Sequence, residues 1–62
     1  MPGIDNHPQL LDIDQLAQRL GITVRHVRRL VADKRVPYYK VGRLVRFDQA
    51  EITQWLQTRR IS

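Results

Sequence analysis

The chain has 62 residues, no cysteine, a net charge of +5 and a hydrophobic fraction of 42%. That length allows one small domain, and the absence of thiols excludes disulfide staples and thiolate metal centres. No run approaches the roughly 18 consecutive apolar residues of a membrane span, and the opening M-P-G-I-D-N-H-P lacks the parts of a secretory leader, so a soluble cytoplasmic protein is expected.

The charge is not spread evenly. Residues 1–18 carry three acids and no base, residues 19–46 carry nine bases and only Asp33, and residues 47–62 balance to zero. A segment at +8 between a segment at −3 and a neutral one focuses a positive field in the middle of the chain. Such a patch points to a polyanionic partner, most simply nucleic acid.

Residues 1–9, with two prolines, a glycine and no period, read as a flexible arm, and His7 within it as a solvent-exposed bystander. Residues 10–62 read as the folded domain. A first helix is expected over Ile13–Leu20: Asp12 is a good N-cap, Gln15 completes a capping box, and Asp14 suits the positive end of the helix dipole. Ile13, Leu16, Ala17 and Leu20 form one apolar stripe, and Gly21 supplies the stop. Only Ile22 separates it from Thr23, the N-cap of a second helix from Val24 to about Ala32. Two short helices joined by so tight a turn form a helix-turn-helix, with Ala17 small enough to let them approach closely.

Val36 and Pro37 close the helical part. Y-Y-K-V-G-R-L-V-R-F (38–47) then reads as a β-hairpin, with Gly42 first in a two-residue type II′ loop. This register pairs Val41 with Leu44, Lys40 with Val45, Tyr39 with Arg46 and Tyr38 with Phe47. D-Q-A-E (48–51) resembles a capping box ahead of a third helix, whose Ile52, Trp55 and Leu56 form an apolar stripe. Arg59 and Arg60 complement its negative end. The fold class expected is mainly α with a small β-hairpin: helix-turn-helix, hairpin wing, third helix.

At 100° per residue, Val24, Val27 and Val31 share one side of the second helix, with Leu30 at the edge. Arg25 and Arg29 lie opposite, with His26 beside them, and Arg28 falls at the border. Guanidinium forks suit phosphate oxygens and the O6/N7 edge of guanine, and the second helix of a helix-turn-helix offers its N-terminal residues to the major groove. Arg25, His26 and Arg29 are therefore base-reading candidates, Arg28 a phosphate contact, and Thr23 joins them at the helix start. In the hairpin, Arg43 at the tip is the minor-groove candidate, flanked by Lys40 and Arg46. Catalysis finds no footing: the acids mostly occupy caps, the two histidines are not spaced as a metal pair, and no cofactor is implied.

The ordered combination L-L-D-I-D-Q-L-A-Q-R-L-G-I-T, V-R-R-L-V, V-P, K-V-G-R-L-V-R-F and I-T-Q-W-L resembles the MerR-like winged helix-turn-helix of small phage and plasmid excisionases and their AlpA-like regulatory relatives. The resemblance runs from Leu11 to Leu56. It implies sequence-specific binding and bending of double-stranded attachment-site DNA, partnership with a tyrosine integrase to favour excision, and a bacterial, nucleoid-associated setting. It assigns Arg25, Arg28 and Arg29 to the recognition helix and Arg43 to the wing. One departure is Lys34, where that family commonly has glycine. Because the chain stops six residues past Leu56, without room for a dimerising helix, the expectation is a lone module. Such a module buries only about 600–1,000 Å² on DNA, so several copies are expected to bind adjacent sites cooperatively. The competing expectations are a small transcriptional regulator of the AlpA kind and an adaptor for an acidic protein.

Overall fold

In the computed structural model, which describes residues 10–60, the elements are β1 (Leu10–Leu11), α1 (Ile13–Leu20), α2 (Val24–Ala32), β2 (Tyr39–Val41), β3 (Leu44–Asp48) and α3 (Gln49–Thr58). The arm expected over residues 1–9, with His7, lies outside the described residues, as do residues 61–62.

Both helices of the helix-turn-helix begin and end on local hydrogen bonds. At the start of α1, the Asp12 carboxylate accepts the Gln15 N–H at 2.8 Å, and Gln15 Oε1 accepts the Asp12 N–H at 2.9 Å, the reciprocal box the spacing called for. At its end the Ile22 N–H reaches Ala17 O at 3.0 Å and the Gly21 N–H reaches Gln18 O at 3.2 Å, with Gly21 at φ 70°. In α2, Thr23 Oγ1 accepts the His26 N–H at 3.0 Å. Its end repeats the α1 pattern: the Arg35 N–H bonds Leu30 O at 2.9 Å and the Lys34 N–H bonds Val31 O at 3.0 Å. This paired closure is a Schellman turn, whose central residue must be left-handed. Lys34 accordingly sits at φ 55°, so the turn forms with a lysine where glycine is the ordinary occupant.

The sheet has the order β1-β3-β2. The β2–β3 hairpin has the expected pairs Tyr39↔Arg46, Lys40↔Val45 and Val41↔Leu44. Gly42 is at φ 64°, while Arg43 is not among the positive-φ residues. That combination fits a type II′ turn and excludes I′, which needs both loop residues at positive φ. The fourth expected pair, Tyr38 with Phe47, is absent from the ladder. Pro37 brings no N–H to that end of the strand, and Tyr38 leaves the ladder to pack against the core. On its other edge β3 gains β1, with Leu11↔Phe47 and Leu10↔Asp48 antiparallel.

Every described element except β2 contributes to the core: Leu11 from β1, Leu16 and Ala17 from α1, Val27 from α2, Phe47 from β3 and Ile52 from α3, joined by Val36 from the connection. Leu16, Val27, Phe47 and Ile52 are fully buried. Of the expected α3 stripe, Ile52 is fully buried and Trp55 is half-buried against the core, whereas Leu56 is exposed. Trp55 has a second task as well. Its indole N–H donates to Arg35 O at 2.8 Å, the Arg59 guanidinium lies 4.6 Å above its ring, and Arg59 donates to the same carbonyl at 3.1 Å. Arg59 thus ties the end of α3 to the end of α2 as well as sitting at the helix terminus. Arg19 of α1 donates to Thr53 Oγ1 of α3 at 2.7 Å, a second link between helices.

The box expected at α3 forms by half. Asp48 accepts the Ala50 and Glu51 N–H groups at 2.8 and 3.2 Å, but Glu51 does not reach back. Its carboxylate instead accepts the Tyr39 hydroxyl at 2.7 Å, fastening the hairpin to α3.

Candidate nucleic-acid interface

Which residues α2 presents outward follows from which one it buries. Val27 is fully buried, and residues two positions away lie about 200° around a helix. Arg25 and Arg29 therefore occupy the far side, and both are exposed. Val24, Leu30 and Val31 are half-buried against the core, as the apolar stripe required. Thr23 is exposed at the helix start and uses one lone pair on its cap bond, which leaves its O–H proton available as a donor.

Arg28 and His26 are one position either side of Val27, about 100° in opposite directions, and they face different neighbours. Arg28 lines a shallow cleft of about 270 Å³ together with Asp12, Ile13, Asp14, Arg43, Leu44, Val45 and Arg46. This cleft joins α2, the start of α1 and the wing. Three of the sequence candidates, Arg28, Arg43 and Arg46, thus share one surface although 18 positions separate the first from the last. His26 is on the opposite flank, in a groove of about 450 Å³ with Leu20, Ile22, Leu30, Arg35, Trp55, Leu56 and Arg59. It is exposed but stands apart from the wing arginines.

Within the wing the candidates differ. Arg43 is exposed at the tip and Lys40 is exposed on β2. Arg46 is half-buried, and its Nη1 donates to the carbonyl of Val45 at 2.8 Å, so part of its fork is spent on holding the strand. Tyr39, on the same strand as Lys40, is exposed, and its phenol is held above the ordinary tyrosine value. The hydrogen bond to Glu51 is the main cause, with the carboxylate's charge adding to it.

Sequence reading assigned Asp12 and Asp14 to the helix start alone, yet both line the arginine cleft. No local signal could have revealed this, because the juxtaposition depends on how the wing folds back beside α1.

A helix-turn-helix followed by a hairpin wing and a third helix, with a basic outer face on its second helix, defines a winged helix-turn-helix DNA-binding domain. The helix-turn-helix domain family matches residues 10–60, and the chain belongs to it. That family includes small excisionase-like and AlpA-type DNA-binding proteins. No curated protein and no solved structure matches the chain significantly. No helix among the described residues is long and apolar enough to cross a membrane.

Proposed function

We propose that this protein is an excisionase: a small architectural factor that binds and bends phage or plasmid attachment-site DNA and so directs a tyrosine integrase toward excision. In this reading α2 lies in the major groove, where Arg25 and Arg29, with His26 at the flank, meet base edges. Thr23 and Arg28 contact the backbone. The wing reaches the adjacent minor groove through Arg43, with Lys40 and Arg46 along its phosphate walls. The observation that carries the DNA-binding part of this reading is the cleft joining Arg28 to Arg43 and Arg46, where three guanidinium groups outnumber the carboxylates of Asp12 and Asp14, since a phosphate strand running between major and minor groove needs cations on both the helix and the wing. One such module covers little DNA, so adjacent copies bind cooperatively and act together.

The alternative is a small AlpA-type transcriptional regulator, favoured by the same family membership. It would use the same surface on a promoter. Two measurements test the proposal in order. Duplex affinity measured against salt is expected to give a slope of log K on log salt of about −4 to −5, for about five phosphate contacts; a flat dependence removes the DNA reading altogether. Recombination between attachment sites with the cognate integrase is then expected to run toward excision only when this protein is added. Equal excision without it, alongside salt-sensitive promoter binding, would assign the protein to regulation.

A further inference from the structure

The wing carries an exposed apolar pair that the core does not explain. Val41 and Leu44 face each other directly across the hairpin, and they are 59% and 52% exposed. Neither belongs to the core cluster or to the side chains packed on it, whereas Val45, on the opposite face of the strand, does. The pair immediately flanks the Gly42–Arg43 tip, so whatever receives Arg43 must also meet these two side chains. The hairpin from Tyr38 to Phe47 has three bases and no acid, which suits phosphate walls on either side.

We propose that Val41 and Leu44 act as an apolar wedge on the minor groove, opening the base step beneath the wing tip and making the protein select DNA that yields there. The inference rests on the DNA-binding reading above and adds a readout to it. A B-form minor groove is about 6 Å wide, while two paired strands are already about 4.8 Å apart between backbones. A hairpin tip with a valine and a leucine beside it enters only where the groove widens. Apolar side chains gain nothing from phosphates, but they lose water against sugar edges and unstacked bases, which is how minor-groove wedges kink a duplex. Pyrimidine–purine steps open readily and A-tracts resist. The wing therefore discriminates between them without a hydrogen bond to any base.

The test compares the wild-type chain with V41T/L44T, which keeps a strand-favouring shape at Val41 and removes the apolar surface. Folding is checked by circular dichroism. Duplexes carry either a TA step or an A-tract at the wing position, with bend angle read from end-to-end energy transfer. The wild type is expected to prefer the TA duplex by roughly tenfold, the scale of one unfavourable step, and to bend it, whereas the variant loses that preference and most of the bend. In addition, 2-aminopurine placed at the step beneath the tip is expected to brighten on binding the unaltered protein, a readout that no substitution can confuse. An unchanged bend and preference in the variant, or a silent 2-aminopurine, overturns the wedge while leaving DNA binding intact. Unchanged single-site bending with lost cooperativity on two adjacent sites also overturns it, assigning the pair to contacts between copies. Failure of the wild type to bind either duplex removes the underlying DNA reading instead.

Discussion

Helices α1 and α2 have one architecture and opposite composition. Each starts on a side-chain cap and ends in the same Schellman turn. In α1 every local choice favours the helix: a reciprocal box at Asp12 and Gln15, Asp14 in the first turn, and glycine in the left-handed position. In α2 several choices oppose it. No acid stands in the first turn, Arg25 lies near the positive end of the dipole, Arg25 and Arg29 repel at one-turn spacing, and Lys34 takes the left-handed position. What α1 secures locally, α2 obtains from tertiary packing through Val27. The difference shows that one helix is built to support and the other to be displayed, with its basic face kept at the expense of its own stability.

The largest loss is expected from a core truncation in the supporting helix. Leu16 is fully buried, and Leu16→Ala is expected to cost about 2–5 kcal/mol, enough to unfold much of a small domain. Urea denaturation followed by circular dichroism measures it. On the displayed helix the expectation reverses. Arg29→Ala is expected to leave the urea midpoint nearly unchanged and to weaken cognate DNA binding by about 1–3 kcal/mol if it reads a base. An equal loss on non-cognate DNA would demote it to a phosphate contact.

The two Schellman turns allow a direct exchange. Nothing lies within 4 Å of a Cβ added at Gly21, so Gly21→Lys meets only the backbone penalty of the left-handed conformation, about 1–2 kcal/mol. Lys34→Gly, the reverse exchange, is expected to recover a similar amount, since the greater unfolded-chain entropy of glycine offsets part of that penalty in both directions. Opposite shifts in melting temperature for the two variants would confirm that the turns are equivalent. A loss of stability in Lys34→Gly would show that the lysine side chain contributes a contact.

The smallest effect concerns the clasp that holds the wing to α3. The Tyr39 phenol is raised by its bond to Glu51, so its folded pKa exceeds the unfolded one. The stability it contributes is complete below the ordinary tyrosine range, near 10, and is lost as pH rises through the folded value. Ultraviolet titration of the phenolate is expected to show a late-titrating Tyr39 that moves back toward the ordinary range in Glu51→Ala, where both the acceptor and the charge are gone, and vanishes in Tyr39→Phe.

Much of this was legible in the residues because it is local. The caps at Asp12, Thr23 and Asp48, the stop at Gly21, and the Gly42 turn with three of its four expected pairs each depend on neighbours within a few positions; the return half of the Asp48 box fails because Glu51 is drawn to Tyr39 of another element. The basic face opposite Val27 follows from helix geometry alone. Strand β1 was not legible: two leucines carry no period, and only β3 beside them makes them a strand. The bond from Trp55 to Arg35 was hidden for a similar reason, since 20 positions separate them and only the placing of α3 beside the end of α2 joins them.

The helix-turn-helix, the hairpin wing and the arginine-bearing second helix follow from the residue order, because caps, periods and turns act over three or four residues. Tertiary structure alone decided that Arg28 would join Arg43 and Arg46 in one cleft while His26, two positions before it, faced away. It also decided that Val41 and Leu44 would be left outside the core. Those outcomes turn on which flank of α2 the wing folds against, and that is set by how distant apolar side chains share the small volume around Leu16, Val27, Phe47 and Ile52.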